Sequence, residues 1–164
     1  MLAAEKKRTE RIIHTKIATA LGAHDVEKLK ARDIFFTGLG LYWGEGYKQG
    51  NEELGFTNSD PQMIKFIIHW LYIIYSVERR DLIARVSINE QHKERANKVE
   101  NYWSGIAGIP KTQFTRTSLI KTQSKKIYTD PEKHFGTLRI KVRRGANLRR
   151  RILGSIHALK ITQT

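Results

Sequence analysis

The segment Phe36-Thr37-Gly38-Leu39-Gly40-Leu41-Tyr42-Trp43-Gly44-Glu45-Gly46 is where residue types and spacing first suggest chemistry. Its pattern predicts a helix from about Ala31 to Glu45. Each glycine inside a helix costs about 1 kcal/mol relative to alanine, so three of them need a reason. Gly40 and Gly44 stand one turn apart on one face, and a bare strip there lets a second helix backbone approach closely. Gly46 suits the left-handed position that closes a helix. Glu45 then sits at a helix C-terminus, where the partial charge is negative. A carboxylate in that place has two explanations, a bound cation such as a metal, or a glycine-rich bend with a solvent-facing Glu.

Other chemistries find less footing. The chain has no cysteine, which excludes disulfides, thiol nucleophiles and thiolate metal sites. Six histidines are scattered (His14, His24, His69, His92, His134, His157), without the spacing of a zinc site. His69 reads as a satisfied residue of an apolar helix. Trp70, Tyr72, Tyr102 and Trp103 fall at helical positions where packing is the default. Neither a phosphate-binding glycine loop nor a G-x-S-x-G nucleophile turn occurs.

Charge supplies the second lead. Thirty Lys and Arg face sixteen Asp and Glu over 164 residues, a net of +14. Residues 1–82 hold twelve basic and eleven acidic side chains, residues 83–164 eighteen and five. Such asymmetry points to a polyanion-binding surface. The competing explanation is simple solvation of Lys121, Lys125, Lys126 and the run Arg149-Arg150-Arg151. Three Trp, six Tyr and six Phe are too many for a disordered basic tail. The stretch Met63 to Tyr75 is interrupted by Lys65 and His69 and is too short to span a bilayer. The start MLAAEKKRTE lacks the apolar core of a signal peptide. The expectation is an intracellular protein, cytoplasmic or nucleoid, with no membrane partner.

These groups must be positioned by a set of elements that the patterning predicts. A helix over Glu5 to Leu21 stops at Gly22, and the glycine-rich helix comes next. A short extended pair, about 46–49 and 52–58, turns at Gly50-Asn51. Asp60-Pro61 starts a helix to about Tyr75, with Asp60 as N-cap and proline at the first helical position. Leu82 to Asn89 alternates as a half-buried strand, turning Arg85, Ser87 and Asn89 outward. His92 to about Ile106 reads as a helix ended by Gly108, and Gln113 to Ser118 as a strand. Thr137 to Arg143 alternates with Arg139, Lys141 and Arg143 outward, and a last helix begins near Ala146. The order lacks repeated βαβ units and predicts an α+β fold with an antiparallel sheet. Helices would cover one face of that sheet and leave a polar, basic face open. Cations for phosphates, with amides and hydroxyls for base edges, are what a DNA-reading ribbon requires; a merely solvated face would also be polar.

Gly40-Leu41-Tyr42-Trp43-Gly44-Glu45-Gly46 resembles the second part of the LAGLIDADG motif, in which a helix of small and apolar residues ends in an acid and a glycine. Phe56-Thr57-Asn58-Ser59-Asp60 before an apolar helix resembles the segment that comes after that motif in the family. Phe135-Gly136-Thr137-Leu138-Arg139-Ile140-Lys141-Val142-Arg143-Arg144 extends the likeness to single-motif bacterial relatives of the LAGLIDADG homing endonucleases. The resemblance covers roughly Asp33 to Leu159. It implies an αββαββα core, here with an extra N-terminal helix and an inserted helix. The domain layout is then 1–30 as a helical extension and 31–164 as the DNA-binding and endonuclease domain. With a single motif, the chain is implied to be a homodimer paired through Gly40 and Gly44, its sheets forming a saddle over double-stranded DNA. Glu45 is implied to hold Mg²⁺ beside the scissile phosphate, Lys141 to orient solvent, and Asp60 to be a second polar group near the metal. The DNA-binding positions are Lys48, Arg85, Ser87, Asn89, Arg116, Arg139, Lys141, Arg143 and Arg144. The expected activity is site-specific hydrolysis of DNA phosphodiester bonds. The alternative is the same fold as a DNA-binding or regulatory protein without nuclease activity.

Overall fold

The computed structural model describes residues 2–50, 52–121 and 134–162. The chain divides into two compact units, Met1–Asp33 and Ile34–Thr164. The first unit is essentially one long helix, α1 (Leu2–Val26). It does not stop at Gly22, as the sequence suggested; a helix accepts an internal glycine at a modest cost, and this one ends only at Glu27, where φ turns positive. Ile12, Ile13, Ile17 and Leu21 are exposed along it.

The second unit is α+β. After α2 (Ala31–Glu45) come β1 (Gly55–Asn58), α3 (Pro61–Tyr75), β2 (Leu82–Asn89), α4 (Ala96–Ala107), β3 (Ser118–Ile120), β4 (Thr137–Val142) and α5 (Ala146–Ile161). The bounds of α2, α3, β2 and the start of α5 fall where the patterning placed them. Asp60 caps α3 as expected, its Oδ1 accepting from the backbone N–H of Gln62 at 2.7 Å. Gly108, at φ +63, closes α4 in the left-handed conformation.

The four strands form one sheet in the order β1-β4-β2-β3. β4 pairs antiparallel with both β1 and β2, but β3 runs parallel to β2. The sheet is therefore mixed, not antiparallel throughout as expected. The cause is α4: the chain leaves β2, crosses through this helix and returns in the same direction, the usual way to make a parallel pair. The strand expected at Gln113 to Ser118 is also displaced. Lys111–Gln113 forms a 3₁₀ turn and β3 begins at Ser118, with Phe114 making an isolated parallel bridge to Ala84. Likewise the residues before α4 are a 3₁₀ turn, Glu90–Arg95, kinked at His92. The extended pair before α3 keeps one arm as β1; the other is reduced to a bridge between Gly46 and Phe56.

Every second residue of β2 is buried, Leu82, Ala84, Val86 and Ile88, together with Leu138 and Ile140 of β4. Against this face lie α3, which contacts β1, and α4, which contacts β2 and α3. Trp70 of α3 and Trp103 of α4 are fully buried in the same core. Trp103 donates from its indole N–H to the Phe135 carbonyl at 2.7 Å, so α4 holds the entry to β4. The sheet's other face carries Arg85, Ser87, Arg139 and Lys141, all half-buried.

Candidate nucleic-acid interface

The register sets the outward side chains in rows. Thr57 of β1 lies opposite Arg139 of β4, which lies opposite Arg85 of β2. One row away, Gly55, Lys141 and Ile83 align; on the other side, Thr137, Ser87 and Ser118 do. The sequence placed Arg85 and Arg139 on one face, but it had no means of placing them directly across from each other. Like charges in that relation are destabilising, by a few tenths of a kcal/mol to about 1 kcal/mol. In addition, the Nε of Arg85 and the Nε of Arg139 are both buried with no hydrogen-bond partner. A polyanion laid on this face would supply negative charge between the two guanidinium groups.

The remaining expected DNA-binding positions divide by environment. Ser87 is half-buried on the same face; in the turn after β4, Arg143 is exposed, and Arg144 is exposed too, at φ +53. Arg116 is exposed in the segment leading to β3. Asn89 ends β2 and uses its side-chain oxygen to cap the 3₁₀ turn, accepting from Gln91 N–H at 3.0 Å. Lys141 points outward but is ion-paired with Glu53. Its ammonium therefore starts from a satisfied state. Thr57 and Thr137 do not stand out in the sequence: the four residues of β1 offer too little alternation to assign a face, and Thr137, at the start of β4, carries no charge. Thr57 Oγ1 also shares a 2.8 Å hydrogen bond with the Tyr47 hydroxyl. Lys125 and Lys126 lie outside the described residues.

Glu45 is the last residue of α2 and is exposed. Beside it the Lys48 ammonium hydrogen-bonds the carbonyls of Trp43 and Gly44, the latter at 2.9 Å. The negative end of the helix thus has a cation of its own, which removes one of the reasons for expecting a metal there. Gly46 is not left-handed. Its lack of a side chain matters for space: a Cβ would come within 2.5 Å of the Tyr42 ring and carbonyl. Asp60 is at the N-terminus of α3, engaged in its cap.

The glycines of α2 serve two different ends. A Cβ on Gly38 would lie 2.2 Å from the Trp70 ring, so this glycine lets α2 sit against α3. Gly40 and Gly44 have nothing within 4 Å of where a Cβ would be. They lie on the exposed side of the helix with Phe36 and Trp43, which remain 38% and 37% exposed.

The arginine run of α5 is not simply solvated. Arg149 is only 9% exposed; it donates to the carbonyl of Tyr47 at 3.2 Å and to that of Lys48 at 2.8 Å. Tyr42 donates from its hydroxyl to the same Tyr47 carbonyl at 2.9 Å. Burial pushes the Tyr42 phenol up to about 12, against the opposing pull of the Arg149 charge. Arg150 pairs with Glu52, and the Arg151 guanidinium lies over the Tyr75 ring at 5.4 Å. All three hold the segment after α2, or α3, to α5.

Among the described residues, no three His, Asp or Glu side chains form a metal-binding group, and no helix is long and apolar enough to cross a membrane. Comparison with family models, with curated proteins and with solved structures finds no match to the chain.

Proposed function

We propose that this chain is a homodimeric, site-specific DNA endonuclease of LAGLIDADG type that binds double-stranded DNA through the outward face of its sheet. The observation that carries the reading is the Thr57–Arg139–Arg85 row, with two half-buried arginines opposed on the outward face of the sheet. A β-ribbon fits the major groove, where arginine reads the O6 and N7 of guanine and hydroxyls serve more generally. Arg143 and Arg144, exposed at the end of β4, hold phosphates and set the register. Two protomers pair through the bare face of α2 at Gly40 and Gly44, one residue short of Glu45. Each Glu45 thereby stands close to the axis where the two halves meet.

Glu45 fits a hard cation in its donor chemistry, as an exposed carboxylate whose further ligands would be DNA phosphate and water. Mg²⁺ held there would supply water activation and charge stabilisation at the leaving oxygen. Lys48 keeps the helix end neutralised whether or not a metal is bound. Lys141 orients solvent once DNA phosphate displaces Glu53 from its ammonium.

A second reading is favoured by Lys48. Because this ammonium already explains a carboxylate at a helix end, the chain also suits a DNA-binding or regulatory protein without cleavage. The decisive experiment incubates the wild type with a library of duplex sites and Mg²⁺, alongside Glu45→Gln. Cutting that disappears in Glu45→Gln while binding persists supports the nuclease. Binding without cutting by the wild type selects the second reading, and no duplex binding at low salt overturns both. Gly40→Leu should give a monomer in sedimentation that still unfolds cooperatively, since a Cβ at this position meets nothing within the protomer.

A further inference from the structure

On its outward side α3 carries Lys65, His69 and Tyr72, spaced by four and three residues and therefore on one stripe. All three are exposed, Tyr72 at 57%. The sequence had His69 and Tyr72 packed in a core. They instead form one wall of a groove of about 770 Å³, whose other wall is the segment Glu78, Arg79 and Arg80. Ile68, Ile106 and Ala107 contribute apolar surface between the walls. The volume lies in the range of small-ligand sites. Since α3 packs on the sheet's inner face, the groove belongs to the helical layer and not to the arginine rows.

Three permanent cations and a histidine meet here with one carboxylate. Glu78 is occupied by Arg80 at 3.0 Å, which leaves Lys65 and Arg79 uncompensated by it. Arg79 is held in place through its Nε, which donates to the Ala107 carbonyl at 3.4 Å. It lies against Gly108, where a Cβ would come within 2.9 Å of that Nε. A ring exposed beside clustered cations, over an apolar floor, matches a ligand with a flat aromatic end and an anionic end. We propose that this groove binds a nucleoside polyphosphate. The base lies against Tyr72 and the apolar floor, and the phosphates lie on Lys65 and Arg79, with His69 between the two parts. The site is independent of the DNA reading.

Calorimetric titration of the full chain with ATP, and in parallel with inorganic triphosphate, tests it. ATP should bind one per chain. Tyr72→Ala should weaken ATP about tenfold, the worth of one base–aromatic stack, and leave triphosphate unchanged. Lys65→Ala and Arg79→Ala should weaken both probes about tenfold, while Arg139→Ala weakens neither. All four positions are at least partly exposed, and melting curves confirm that each variant folds. The proposal is overturned by any of three results. ATP gives no heat at millimolar concentration; Tyr72→Ala leaves ATP untouched and triphosphate binds as tightly; or ATP is displaced by duplex DNA and lost in Arg139→Ala.

Discussion

Arg149 on α5 and Arg139 on β4 are the same residue type in the same basic half of the chain, and the fold uses them in contrary ways. Arg149 is buried and commits its N–H groups to the carbonyls of Tyr47 and Lys48. Arg139 lies opposite another arginine, with its Nε unmet. The first ties the chain after α2 to α5; the second leaves the protein with an electrostatic deficit at its surface. A count of charges treats them alike. What separates them is whether the local backbone offers acceptors. The exposed carbonyls after a helix end attract a guanidinium, while the backbone of a central strand such as β4 is already paired on both sides and offers none to its own side chains.

The contrast is most sharply tested at Arg149. Arg149→Ala removes two charge-assisted hydrogen bonds from a buried site and should cost about 3 kcal/mol in urea unfolding. The slope of DNA affinity against salt should hardly change. Arg139→Ala and Arg85→Ala should do the reverse. Each should weaken duplex binding by about 1–3 kcal/mol and relax the sequence preference at one position. Stability should stay within about 0.5 kcal/mol of wild type, or rise slightly as the opposed charges are relieved. If Arg139→Ala unfolds the protein and leaves DNA binding intact, the assignment of the two regions is reversed.

Tyr42→Phe probes the anchored region more gently. It deletes the hydroxyl that donates to Tyr47 and should cost about 1 kcal/mol. The raised phenol pKa also predicts a pH effect. The fold favours the protonated phenol, so its contribution is whole below pH 10. It is lost as the pH rises from there through about 12, and Tyr42→Phe should remove that part of the alkaline destabilisation. The smallest effect belongs to Arg150→Ala, whose exposed pair with Glu52 should be worth no more than about 0.5 kcal/mol by thermal melting.

Elements with a local cause were legible. Asp60 and Pro61 announce α3 because capping and a fixed φ act within one turn. Strict alternation over Leu82 to Asn89 gives β2 and its outward Arg85. Arg139 and Lys141 of β4 follow from the same alternation, whereas Arg143, expected to continue it, falls in the turn after the strand. Where a partner distant in sequence decides, the reading failed. β3 lies parallel because α4 carries the chain across, and three residues hold too little pattern to reveal either its position or its direction. Gly46 was assigned a left-handed turn, yet the Tyr42 ring above it is what requires glycine. The apolar composition of α3 predicts packed positions for His69 and Tyr72, but composition does not say which stripe the neighbours cover.

By itself, then, the sequence determined the α+β class, the bounds of α2, α3 and β2, the basic outward faces and the placing of Gly40 and Gly44 on one face of α2. These rest on periodicity, capping and charge, which act between residues close in the chain. Tertiary structure alone decided the sheet order and the opposition of Arg85 to Arg139. It also decided the burial of Arg149, the ammonium beside Glu45 and the groove along α3. Each of those depends on which segments meet in space, and a pairing between residues distant in the chain leaves no trace in the spacing of either.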